Sequence, residues 1–192
     1  MSTFRYHKTT SVPMASSGKS IITASLLLLF SGFVNPVQAA PPNDRAIART
    51  TAPALRFRAK TVDGRMLSSD QLAGRPYIVN FFASWCPPCR KELPEMVALQ
   101  KKYEASGFTF IGIAFRDNAS MYPDFLWEQG ITYPVAMSDP ALIAEFGRYQ
   151  QGGIQSIPTT FVVDRGGRVV KVVQGGQSKA ALEELIRQAM QQ

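Results

Sequence analysis

Apolar residues along this chain fall into three kinds of run. The first, Ile21 to Val34 (IITASLLLLFSGFV), is almost uninterrupted and is closed by Asn35 and Pro36. The second kind is short and rich in aromatic and β-branched residues: Tyr77 to Phe82 (YIVNFF) and Phe108 to Phe115 (FTFIGIAF). Such runs, apolar on both faces, predict strands buried within a sheet. The third kind has helical spacing. Leu93, Met96, Val97, Leu99 and Tyr103 recur on one face and predict a helix from Pro87 to about Ala105. Proline suits its first turn, where a missing N–H costs nothing. Pro94 lies deeper and is expected to kink it, and Gly107 ends it.

The remaining pattern fills in around these. Ala54 to Thr61 reads as a strand, Val62-Asp63-Gly64-Arg65 as a turn, and Leu67 as the start of a second short strand. Ser68 to Leu72 suggests a helical turn that Gly74 closes. Met121 to Gln129 reads as a helix, Tyr133 to Met137 as a strand, and Asp139-Pro140 opens a helix to about Tyr149. Thr159 to Asp164 and Arg168 to Gln174 flank the turn Arg165-Gly166-Gly167, the mark of a β-hairpin. Ser178 can cap a final amphipathic helix through Met190. Strands alternating with helices imply a parallel core sheet, to which the closing hairpin adds antiparallel edge strands.

The front of the chain is an address. Residues 1–20 are polar, with three basic residues and no acid. The apolar run follows, and Val37-Gln38-Ala39 supplies small residues for a signal peptidase. As a helix, about 14 residues would span about 21 Å, short for a membrane crossing. Residues 1–39 are therefore expected to be a secretory signal, or an uncleaved anchor through 21–34, and 40–53 a linker rich in Ala, Pro and Thr. Either outcome sends the domain over 54–192 out of the cytoplasm, to a periplasm or cell envelope. It touches the membrane only if the signal is uncleaved.

Composition removes several function classes. The net charge of +7 falls to +4 without the three basic residues before residue 40, and the rest are scattered. No basic stripe supports nucleic-acid binding. The one histidine, His7, lies in the front segment, which leaves the domain without Ser-His-Asp or Cys-His catalysis and without His-ligated metal.

Only two cysteines occur, Cys86 and Cys89, spaced C-x-x-C between a buried strand and a helix. Unpaired N–H groups and the positive end of the helix dipole favour a thiolate at the first position. The thiolate is the attacking species in disulfide exchange, so Cys86 is the candidate nucleophile. Cys89, one turn on, would resolve the mixed disulfide. The spacing serves reduction and oxidation alike. A structural staple closing four residues would constrain little, and zinc would need two further ligands. A two-thiolate Cu(I) site or redox sensor stays open beside the enzyme reading.

The residues N-F-F-A-S-W-C-P-P-C-R-K-E-L-P (Asn80 to Pro94) and I-P-T-T-F-V-V-D (Ile157 to Asp164) resemble the thioredoxin superfamily, in its exported TlpA/ResA/CcmG-like branch. The resemblance spans roughly 53–190. It implies an α/β thioredoxin fold: a central mixed sheet flanked by helices, with a strand–helix insert within Met121 to Tyr149 and an N-terminal strand extension. It also implies a cis Ile157–Pro158 bond beside the cysteines, where an extended substrate could add as a strand. The substrate contacts would be Trp85, Pro87, Pro88, Ile157, Pro158 and Thr159. Trp85 would either pack over the motif and limit access or be a structural packing residue.

Asn80 stands where thioredoxin has a buried Asp, and an amide cannot carry the proton. The branch resembles this chain in having a Glu three residues after the second cysteine, here Glu92, which could tune the pair and shuttle a proton or simply complement the helix dipole. Asp117, Asp124 and Glu128 read as solvated. The dipeptide Pro87-Pro88 has no N–H donor or charge to stabilise Cys86, which argues against a strong oxidant. Val79 and Ala83 stand where a peroxiredoxin would carry Pro and Thr.

The resemblance thus implies a reductant of disulfides in exported proteins, such as apocytochrome c, fed by a membrane-bound electron donor. It would need no cofactor or metal beyond the redox-active pair. A disulfide oxidase or isomerase is the alternative enzyme, and its partners would be thiol-bearing exported proteins.

Overall fold

The computed structural model describes residues 53–191. The signal or anchor expected over 1–39 and, apart from Pro53, the linker expected over 40–53 lie outside them. Among the described residues no helix is long and apolar enough to cross a membrane.

The expected first strand is shorter than its apolar pattern. β1 covers Arg58–Lys60 and pairs antiparallel with β2, Met66–Ser68, across a turn whose Gly64 takes φ +85°. Leu55 and Phe57, also buried, are fixed by single backbone bonds instead: Leu55 N–H donates to Gly167 O and Ser69 N–H to Phe57 O. A 3-10 turn, Ser69–Leu72, follows.

The main sheet contains β3 (Tyr77–Phe82), β4 (Thr109–Ala114), β5 (Val135–Met137), β6 (Thr159–Val163) and β7 (Val169–Gln174), in the order β5-β4-β3-β6-β7. β3, β4 and β5 run parallel; β6 is antiparallel to β3 and to β7. The closing hairpin therefore differs from expectation in one respect. Only β7 is an edge, while β6 lies inside the sheet, which is why all five of its residues are buried. The Thr61–Ala136 bridge and a bond from Val62 N–H to Val135 O attach the β1–β2 extension beside β5.

Among the described residues three α-helices, α1 (Pro87–Tyr103), α2 (Tyr122–Glu128) and α3 (Pro140–Gly147), link these strands, and α4 (Lys179–Met190) follows β7. α1 continues through Pro94 without ending. Asp139 caps α3 through Leu142 N–H, and Ser178 caps α4 through Ala181 N–H. Gly107 closes the turn after α1 at φ +83°.

Strand alternation divides the core into two layers. Ile78 and Phe82 of β3 pack with Leu93 and Met96 of α1, Leu182 and Ile186 of α4, and Tyr122 and Phe125 of α2. Tyr77, Val79 and Phe81 pack on the other face with Phe146 of α3, Phe161 of β6 and Phe57. Asn80 has the parity of Ile78 and Phe82, so this one polar residue of β3 faces α1.

Candidate active site

β3 delivers the chain to Ala83-Ser84-Trp85, and Cys86 then caps α1. Pro87 and Pro88 occupy the first turn, where no backbone donor is lost. Cys86 and Cys89 form a disulfide with Cα atoms 5.3 Å apart. Cys86 Sγ accepts the Cys89 N–H at 3.3 Å. The sulfur thus takes the place of a capping oxygen at the positive end of the helix, where charge on it would be stabilised. Both cysteines are buried in the layer under α1, Cys86 at 2% exposure and Cys89 at 0%.

Across the sulfurs, Ile157–Pro158 is cis, as the resemblance implies. The Ile157 carbonyl oxygen lies 3.9 Å from Cys86 Sγ. Ile157 lies just ahead of β6, and among the described residues neither its N–H nor its C=O makes a backbone hydrogen bond. Pro158 is buried, and its carbonyl accepts from Gly175 N–H at 2.8 Å. Thr159 differs from expectation. It is fully buried, its hydroxyl donates to Ser156 O, and its backbone is paired with Phe81 on one side and Gln174 on the other. The structure therefore withdraws Thr159 from the contacts open to a substrate. Pro87 and Pro88 are exposed. Trp85 is 61% exposed, so most of its surface is open to solvent.

Glu92 is one turn beyond Cys89 and is 2% exposed, so it is no surface complement to the dipole. Its Oε1 accepts from Asn80 Nδ2 at 2.9 Å and its Oε2 from Gln177 N–H at 2.9 Å. The second Asn80 amide hydrogen goes to Thr160 Oγ1 at 3.0 Å, its register partner across β3 and β6. Burial pushes the Glu92 carboxyl above the usual carboxylate range, while the bonds from Gln177 and Asn80 pull the other way.

Asp117 is not a solvated acid. Its carboxylate accepts from Ser84 N–H at 2.7 Å, Asn118 N–H at 2.7 Å and Tyr122 Oη at 2.9 Å. Burial pushes its proton affinity up, but these bonds outweigh burial and leave it lowered. Arg116, at φ +50°, turns the chain to aim this side chain. Arg90 holds the other side of the same residue, donating to Ser84 O at 3.2 Å with its guanidinium over Phe125. Asp124 and Glu128 are exposed, as read from the sequence.

Sequence reasoning missed Asp117, Thr160 and Gln177 as parts of this site. Gln177 acts through a backbone N–H, which carries no side-chain signal. Thr160 is adjacent to Asn80 only because β6 enters the sheet antiparallel beside β3. Among the described residues, no group of three or more His, Cys, Asp or Glu could hold a metal ion.

The comparisons with known proteins agree with this geometry. The Redoxin family model matches residues 47–186. The thiol:disulfide interchange protein HelX of Rhodobacter capsulatus is 32% identical over 155 residues, covering 78% of this chain and 84% of that protein. The thiol-disulfide oxidoreductase ResA of Halalkalibacterium halodurans is 27% identical, covering 74% and 78%. A crystal structure of a thiol:disulfide interchange protein of the thioredoxin family from Chlorobium tepidum TLS superposes with a TM-score of 0.69 at 48% identity, covering 71% of this chain and 94% of that one. With a disulfide at the mouth of α1 and these relatives, the chain belongs to the Redoxin family and is a TlpA/ResA/CcmG-like thiol–disulfide oxidoreductase of the thioredoxin superfamily.

Proposed function

We propose that this oxidoreductase is a reductant of disulfides in exported proteins, with apocytochrome c as a candidate substrate. In the reduced enzyme, the Cys86 thiolate attacks one sulfur of the partner's disulfide. A Cys86–partner bond forms and the partner's other sulfur leaves as a thiolate. Cys89 then gives its proton to Glu92 and attacks Cys86. The Cys86–Cys89 bond forms, the partner's second sulfur departs, and two electrons have passed to the partner. The single observation that carries the roles is the arrangement of Cys86 Sγ on the Cys89 amide with a buried carboxylate one turn behind.

The direction of flow follows from how little is added to the Cys89 N–H and the helix dipole in stabilising Cys86 as a thiolate. Pro87 and Pro88 offer no N–H donor, and the nearby Arg90 guanidinium is engaged by Ser84 O and Phe125. A weakly stabilised thiolate gives up electrons readily. Trp85, Pro87 and Pro88 supply an apolar rim for the partner, and the open Ile157 backbone lets an extended segment pair beside Cys86. Export is carried by the signal pattern over residues 1–39, with 40–53 as linker before the domain. An exported compartment is oxidising, so a membrane-bound donor must return the pair to the dithiol state. The disulfide itself is the only redox group the reaction requires.

The test is the reduction potential of the Cys86–Cys89 pair, equilibrated in graded thiol buffers. The reductant reading expects about −270 mV or lower, and a value near −120 mV, roughly that of a strong oxidant, would mean the protein installs disulfides.

A further inference from the structure

A buried acid that carries a proton must be held in two chemical forms. As a carboxylate it only accepts hydrogen bonds; as a carboxylic acid it must also donate one. Both forms of Glu92 are enclosed by the same neighbours. Gln177 contributes a backbone N–H, which can only donate. Asn80 contributes an amide, whose two ends are donor and acceptor and nearly identical in shape. Both hydrogens of Nδ2 are committed, one to Glu92 Oε1 and one to Thr160 Oγ1. Its Oδ1 is buried and has no partner among the described residues. Turning the amide over therefore breaks no third bond, and its cost is that the NH2 group takes the unpartnered place of Oδ1. The turned amide presents Oδ1 to Glu92 and to Thr160, and the Thr160 hydroxyl can donate as readily as it accepts.

We propose that Asn80 is a positioning residue for the thiol–disulfide reaction: a two-state partner that donates from Nδ2 to ionised Glu92 and, with its amide reversed, accepts at Oδ1 from protonated Glu92. Thr160 follows it in both states. Glu92 can then take the Cys89 proton as Cys89 attacks Cys86, and return it to solvent or the departing partner thiolate, without leaving the core. This rests on the reading of Glu92 as the proton carrier. An aspartate at position 80, acceptor-only when ionised, would instead set two carboxylates against each other, and one would hold its proton.

Few other charges face Glu92. β3 brings Asn80, β6 brings Thr160 and the β7–α4 loop brings the Gln177 amide. The titratable groups around it are Cys86 and Cys89 on its own helix, the buried Tyr133 hydroxyl ahead of β5, and the surface pair Glu95–Lys179 between α1 and α4.

The experiment follows the rate of mixed-disulfide resolution against pH in wild type, Glu92→Gln, Asn80→Asp, Asn80→Ser and the double variant Glu92→Gln/Asn80→Ser. Asn80→Asp should raise the midpoint of the profile and slow resolution at neutral pH about tenfold, one unit of proton affinity being tenfold in population. Asn80→Ser, too short to reach Glu92, should raise it less. In the Glu92→Gln background, Asn80→Ser should leave the rate within about twofold, the additivity expected when the coupled partner is gone. A measurement on the unaltered residue guards against variants that do not fold. The Asn80 side-chain NH2 resonances should titrate with the Glu92 midpoint in wild type and stay fixed in Glu92→Gln. If Glu92→Gln moves the profile while both Asn80 variants keep the wild-type midpoint, or if the Asn80 resonances do not titrate, the Asn80 proposal is wrong and the Glu92 reading stands. If Glu92→Gln itself leaves the profile unchanged, the Glu92 reading fails first.

Discussion

Glu92 differs from its neighbours in α1 because its carboxylate is bound by groups outside the helix, Asn80 and Gln177. Glu92 has a measurable cost. Its carboxyl is raised by burial against two opposing hydrogen bonds. The folded chain therefore binds that proton more tightly than the unfolded chain. This contribution to stability is complete below the ordinary glutamate range and is lost as pH rises through the raised value. Denaturant unfolding from acid to neutral pH should show wild type losing stability across that window relative to Glu92→Gln, and parallel curves would contradict the assignment. Asp117 has the opposite sign. Its proton affinity is lowered, so its contribution is present above the ordinary aspartate range and lost as pH falls through the lowered value. Asp117→Ala leaves the Ser84 N–H without its acceptor and should cost about 1–3 kcal/mol at neutral pH. Hydrogen exchange should quicken at Ser84, next to Trp85 and Cys86, and unchanged exchange there would show that the contact does not hold the turn.

At the scale of elements, the sequence was readable wherever a residue's own environment dictates its type. β3 and β4 are apolar on both faces because both faces are covered, and Pro87 and Asp139 mark helix starts through local chemistry. The limits appear where an element depends on partners. Ala54 to Thr61 has strand composition, yet only Arg58–Lys60 finds a ladder, because its partner β2 is three residues long. β6 carries no mark that separates an inner strand from an edge, and its place between β3 and β7 decides that Thr159 is closed and that Thr160 meets Asn80. Gly112 illustrates the same dependence. A Cβ there would lie 2.8 Å from Phe82 Cε1 and 2.9 Å from Val135 Cγ2, so β4 needs a glycine where its neighbours lean in. Gly112→Ala should destabilise the fold by about 1–3 kcal/mol in denaturant titration, the usual effect of overpacking. A neutral result would mean that those side chains relax at little cost.

The whole molecule sets a redox pair at the rim of a sheet whose two faces are both packed. Cys86 caps α1, and the helix keeps Cys89 and Glu92 against β3. β6 and the loop before α4 close the other side, through Ile157 beside the sulfur, Gly175 on Pro158 and Gln177 on Glu92. The proposed division of labour gives the attack to Cys86 and the resolution to Cys89. It is tested most directly by mixing reduced Cys89→Ser and reduced Cys86→Ser with a disulfide-bearing protein and reading the adducts by mass spectrometry. Cys89→Ser should accumulate a stable mixed disulfide at Cys86, and Cys86→Ser should accumulate little or none. Trapping through Cys89 in the Cys86→Ser protein, with none at Cys86 in the other, would contradict it.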